Sequence, residues 1–168
     1  FVMMTLVSFS DPGLLVLPVH RVVKGISAEN MKRFIDKLAT LFHTDPLPLE
    51  DASRIPEMSD VIARVIGLKE GSVVGLRLRP DVHVKALMPP GHSDAYNKLE
   101  VSILQHLVID RLTAMASGVS IAYTPNAKAA AEMVTQGDYQ LAFILNSIPL
   151  STIKAVANAN DRMPGKST

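Results

Sequence analysis

The chain has 168 residues, 48% hydrophobic and 20% charged, with 17 basic and 16 acidic side chains for a formal charge of +1. Such a length suits one domain that buries roughly two thirds of its unfolded surface, and with no block of Lys or Arg it argues against a strong nucleic-acid surface. The absence of cysteine excludes disulfides, thiolate zinc sites and a catalytic thiol and suits a cytoplasmic protein; no apolar run approaches the ~20 residues of a membrane helix.

Phe1–Phe9 is rich in β-branched and aromatic residues and predicts a strand. Ser10-Asp11-Pro12-Gly13 predicts a turn, with Pro and Gly in the positions that favour it. Leu14–Val23 then predicts a second strand, buried on both faces because Leu14-Leu15-Val16-Leu17 does not alternate. Together the two make an N-terminal hairpin. Ser27 predicts a helix N-cap, and Met31, Phe34, Ile35, Leu38, Leu41 and Phe42 form one helical stripe that should stop by Asp45-Pro46. Leu47–Ile55 is a Pro-punctuated linker. Met58, Val61, Ile62, Val65 and Ile66 fit a second helix, ended by Gly67. Ser72–Arg79 predicts a strand.

Asp81–Asn97 carries little pattern beyond the loop signal Pro89-Pro90-Gly91. Leu99–Met115 predicts a long helix with Val101, Leu104, Val108, Ile109, Leu112 and Met115 buried. Val119–Thr124, a helix from Asn126 to Thr135 and Tyr139–Leu145 make a βαβ-like unit, since parallel strands need such a crossover. Pro149–Ala159 predicts a final helix. The fold class expected is therefore α/β (mixed α+β). The expected arrangement is a single domain over 1–168, with a mixed sheet and helices packed on it.

Candidate chemistry is sparse. Gly165-Lys166-Ser167-Thr168 has the tail of a P-loop, but Asn160 stands where the first glycine belongs and a helix precedes it instead of a strand. Lys166, Ser167 and Thr168 remain candidate phosphate donors, against the plainer reading of a solvated loop. His20-Arg21 ends an apolar strand, where unpartnered polar groups are costly. On a strand the two point to opposite faces. They are candidate ligand contacts; the plainer alternative is a salt-bridged Arg and a packed His. Asn146, after a buried strand, is placed either for ligand contact or to cap the next helix. His43, His83, His92 and His106 show no metal-ligand spacing, and no metal site is expected. The scattered titratable residues show no evident acid/base constellation, and the sequence leaves open whether the chain is an enzyme.

Several motifs occur in a characteristic order: Pro18-Val19-His20-Arg21-Val22-Val23, Leu99-Glu100-Val101, Leu145-Asn146, and Arg162-Met163-Pro164 with Lys166-Ser167-Thr168. The set resembles the second half of a large prokaryotic family of conserved proteins of unknown function that look like remote relatives of ParB-like proteins. In that family an upstream Asp-Gly-His-His-Arg motif resembles the fold of ParB, sulfiredoxin and an ADP-dependent free-serine kinase. Two departures are plain: Glu100 stands where the family usually has Asp, and Gly165 where it has Pro or Gln. The resemblance implies the C-terminal half of a longer protein. It also implies a nucleotide as cofactor of the full-length chain, and a role as the accessory half of a nucleotide- or phosphate-using, small-molecule kinase-like enzyme. The partner it implies is the protein's own upstream half. The alternative is a non-catalytic binding or oligomerisation module that forms homo-oligomers. Arg162 joins His20, Arg21, Asn146, Lys166, Ser167 and Thr168 as a candidate ligand contact.

Overall fold

A computed structural model describes residues 3–48 and 60–168. Its centre is a six-stranded sheet in the order β2-β4-β3-β6-β1-β5, and every neighbouring pair is antiparallel. The strands are β1 (His20–Lys24), β2 (Phe42–Leu47), β3 (Val61–Ile66), β4 (Val73–Leu78), β5 (Ser120–Thr124) and β6 (Leu141–Ile144). The helices are α1 (Ala28–Leu41), α2 (Val84–Leu87), α3 (Asp94–Asn97), α4 (Glu100–Ile103), α5 (Asp110–Met115), α6 (Ala127–Thr135) and α7 (Leu150–Asn158). The α/β class expected from the sequence is the one observed.

Both sheet faces are covered. On one, Val22, Ile66, Ala142 and Ile144 pack with Ala127 and Ala130 of α6. On the other, Val23, Val65, Leu76 and Phe143 meet Phe34 and Leu38 of α1, the 101–112 stretch and Val156 of α7. Strand periodicity separates these sets: Val22 and Val23 are neighbours in sequence and lie in different clusters.

The caps form as expected. Ser27 Oγ accepts from the Asn30 N–H at 3.2 Å, and Asn126 Oδ1 accepts from the Ala129 N–H at 3.0 Å. Each satisfies an amide that the first helical turn leaves without a partner. The βαβ-like unit also forms, with one change. β5 and β6 run in the same direction but do not touch, because β1 lies between them and pairs antiparallel with both. The sheet is thus antiparallel throughout its described pairings, where a mixed one was expected.

Three further expectations are corrected. No N-terminal hairpin forms among the described residues: 3–19 carry no strand. Both sides of β1 are already occupied by β5 and β6. Leu15 and Leu17, expected to be buried, are exposed. The stripe Val61–Ile66 is a central strand with all six residues buried, not a helix; Met58 and most of the linker Leu47–Ile55 lie outside the described residues. A short apolar run covered on both faces matches a helical period by coincidence, and its β-branched content decides for strand. Helix α1 does stop before Asp45-Pro46, as expected; it ends at Leu41 because Phe42 opens β2. Pro46 is tolerated there because β2 is an edge strand.

The long helix spans the expected length but changes pitch. Between α4 and α5, Leu104–Ile109 forms a π-helical stretch, an uncommon geometry that recurs near functional sites. It buries Leu104, Leu107, Val108 and Ile109.

Candidate functional site

β1 and β6 run side by side, and the start of one meets the end of the other. There a cavity of about 230 Å3 opens. Its polar lining is Lys98, Glu100, Asn146, Ser147, Thr152 and Ser167. Val19, Val101 and Ile148 give it apolar walls. Four segments therefore converge: the entry to β1, the first turn of α4, the β6–α7 connection and the C-terminal stretch.

Glu100 is the acidic group of this cavity. Asn146 Nδ2 donates to its Oε2 at 3.1 Å. Burial pushes the Glu100 carboxyl up to about 7, with the Asn146 bond pulling only partly the other way. No cation lies within 4 Å of it among the described residues.

Next to the cavity lies Arg21, whose side chain is fully buried. Its Nη1 donates to the Val19 carbonyl at 3.0 Å and its Nη2 to the Lys166 carbonyl at 3.4 Å. Nε has no partner, and no carboxylate pairs with the guanidinium among the described residues. Arg21 and Lys166 both approach the Tyr123 ring, at 5.9 and 5.8 Å from its centroid, within cation–π range. Burial lowers the Arg21 pKa from its usual value. Lys166 sits at φ 59°, in the left-handed region. For a non-glycine residue that costs on the order of 1 kcal/mol, and such strain clusters at functional positions.

His20 is also fully buried. Its Nδ1 accepts from the Leu145 N–H at 3.1 Å, which places the proton of the neutral ring on Nε2, where it finds no partner. Burial, and then the nearby Arg21 charge, lower its pKa to about 4. His20 and Arg21 are consecutive in β1 and so face opposite sides of the sheet.

Of the candidates read from the sequence, Asn146 and Ser167 line the cavity. Arg21 and Lys166 meet beside it. His20 is tied to its rim through Leu145. Arg162 and Thr168 are exposed and do not line it. The Gly165-Lys166 stretch is a turn that follows helix α7, not a strand, so the P-loop context is absent.

Sequence reasoning missed Glu100, whose one signal was its place in Leu99-Glu100-Val101, a lone acid opening an apolar helix. It missed a second polar network as well. Asp161 Oδ2 accepts from the Ser93 N–H at 2.7 Å, and its Oδ1 lies 3.0 Å from His92 Nδ1. The His92 ring stacks on Tyr96 with centroids 3.7 Å apart. Tyr96 Oη lies 2.9 Å from His106 Nε2, and His106 Nδ1 lies 2.8 Å from Asp110 Oδ2. These histidines are far apart in sequence and only the fold unites them. Among the described residues no three His, Asp or Glu side chains gather as a metal site.

Residues 1–156 match the family described as protein of unknown function (DUF1015). The chain belongs to this family. No curated protein matches it significantly. Among solved structures, a conserved hypothetical protein from Pyrococcus furiosus superposes with a TM-score of 0.58 at 13% identity, over 96% of this chain and 57% of that one. A free serine kinase in complex with AMP gives 0.57 at 13% identity, over 98% of this chain and 57% of the kinase. A mutant form of that kinase with ADP gives 0.56 at 13% identity, over 96% and 56%. The DUF1015 chain thus shares a fold with these proteins and spans a little over half their length. Among its described residues no helix is long and apolar enough to cross a membrane.

Proposed function

We propose that this chain is the accessory half of a nucleotide- or phosphate-using enzyme of the small-molecule kinase type, and that Arg21 and Lys166 hold the anionic group. The observation that carries this reading is Arg21. A buried cation without a counter-charge costs several kcal/mol. Here three of the five guanidinium hydrogens have no assigned acceptor, and a second cation, Lys166, approaches the same Tyr123 ring. A phosphate offers both the missing charge and the missing acceptors, and Arg is the residue suited to it. The likeness to a kinase solved with AMP and ADP supports the same reading at the level of fold. The upstream half of the protein is the proposed partner in that activity.

Calorimetry of inorganic phosphate, AMP and ADP with the whole chain tests the proposal. Binding that weakens at least about tenfold in Arg21→Gln is expected, since a charged hydrogen bond contributes roughly 1.5–3 kcal/mol. Absence of binding by all three overturns it. A phosphoryl-transfer assay with ADP or ATP and serine, the acceptor named for the structural neighbour, tests the kinase part.

A second reading, a non-catalytic binding or oligomerisation module, draws on Met3, Leu6 and Leu15, which are 99%, 87% and 78% exposed. Apolar surface of this kind marks interfaces when it is contiguous. Sedimentation across a concentration range tests it, and a monomer at every concentration counts against it.

A further inference from the structure

We infer that the cavity beside β6 is a binding site for a small organic amine, whose ammonium group is received by the Glu100 carboxylate next to the Asn146 amide. This deepens the phosphate-handling reading and rests on it, by naming the chemistry of the second ligand. The argument begins with charge. Glu100 faces the cavity with Oε2 held by Asn146 and Oε1 without a protein partner among the described residues. Lys98 is the other charged group in the lining, and it makes no ion pair with Glu100. The remaining lining side chains are neutral. A half-buried carboxylate without a counter-ion either takes up a proton or is paired by a cation, and a ligand that carries the cation keeps the group ionised.

Two observations choose an organic cation over a metal ion. One carboxylate and one amide are too few ligands for a hard metal, and no group of three such side chains gathers among the described residues. Apolar walls from Val19, Val101 and Ile148 offer contact to a carbon skeleton, which a bare ion cannot use. The raised Glu100 pKa of about 7 agrees: the carboxylate lacks a partner that a bound ammonium would supply.

The probes are ethanolamine and its neutral counterpart ethylene glycol, with binding to the whole chain followed by calorimetry and ligand-observed NMR. Ethanolamine is expected to bind at least about tenfold more tightly than the glycol, the factor that roughly 1.4 kcal/mol of ion pairing provides. Its affinity should fall roughly tenfold from pH 8 to pH 6, as a carboxylate titrating near 7 loses its charge, and Glu100→Gln should abolish both the preference and the pH dependence. Asn146→Ala, which removes the donor but keeps the acid, should move the midpoint of this pH dependence upward. Ethanolamine that fails to bind, binds no better than glycol, or binds independently of pH overturns the inference on the unmodified chain. Amine binding without phosphate binding would sink the phosphate reading, and phosphate binding without amine binding would sink this inference alone.

Discussion

The amide of Asn146 donates to Glu100 Oε2 at 3.1 Å, joining the loop after β6 to the first turn of α4. The bond holds a carboxyl group whose burial raises its pKa to about 7. In the unfolded chain the same group titrates near 4.5. Between those values the folded protein binds more protons than the unfolded one, so stability is full below pH 4.5 and declines as pH rises through about 7. Glu100→Gln removes this decline. We expect the variant to gain roughly 1–3 kcal/mol relative to the parent between pH 4 and pH 8, measured by urea unfolding at each pH. Parallel curves for the two proteins would contradict the burial argument.

His20 acts in the opposite direction. Its pKa falls from 6.5 unfolded to about 4 folded. The stability it contributes is present above pH 6.5 and is lost as pH falls toward 4, by roughly 2–3 kcal/mol. His20→Gln keeps an acceptor for the Leu145 N–H and cannot titrate, so its acid limb should be flatter over that window. Below it a second loss follows from Asp161, whose carboxyl is held far below its usual range first by the Ser93 N–H and also by His92 and the Arg162 N–H. Circular dichroism during acid titration reads both steps.

Arg21→Met should separate stability from function. The substitution removes a buried charge whose visible bonds go to two backbone carbonyls. Apolar replacement of unpaired or poorly paired buried charge is commonly neutral or stabilising, by up to about 2 kcal/mol. An unchanged or higher melting temperature is expected, together with lost phosphate binding. A fall of several kcal/mol would mean that Arg21 is held by the fold and not for a ligand.

Gly67 and Gly137 give a controlled comparison. Both have positive φ, 95° and 85°. An added Cβ at Gly67 would strike the Gln140 carbonyl oxygen, whereas at Gly137 it would meet open space. Gly137→Ala should cost about 1 kcal/mol, the left-handed penalty alone. Gly67→Ala should cost more than about 2 kcal/mol, because backbone must move as well. Equal losses in thermal unfolding would refute the close approach of Gly67 to the Gln140 carbonyl.

Local pattern in the chain was enough for the α/β class, the caps at Ser27 and Asn126, the extent of the 99–115 helix, and the β5, α6, β6 and α7 elements. These follow from hydrogen bonds and side-chain periods that close within a few residues. It also marked Asn146 and Ser167, which line the cavity, and Arg21 and Lys166, which adjoin it. That Val61–Ile66 is a strand emerges from long-range packing alone, since a run buried on both faces carries no one-sided period. Only the tertiary structure placed β1 between β5 and β6 and so left 3–19 without a strand partner. The same long-range packing brought Glu100 to Asn146 and His92 to Asp161. The charge state and unmet bonds of a side chain depend on what surrounds it in space, and those neighbours come from residues 46 and 69 positions away.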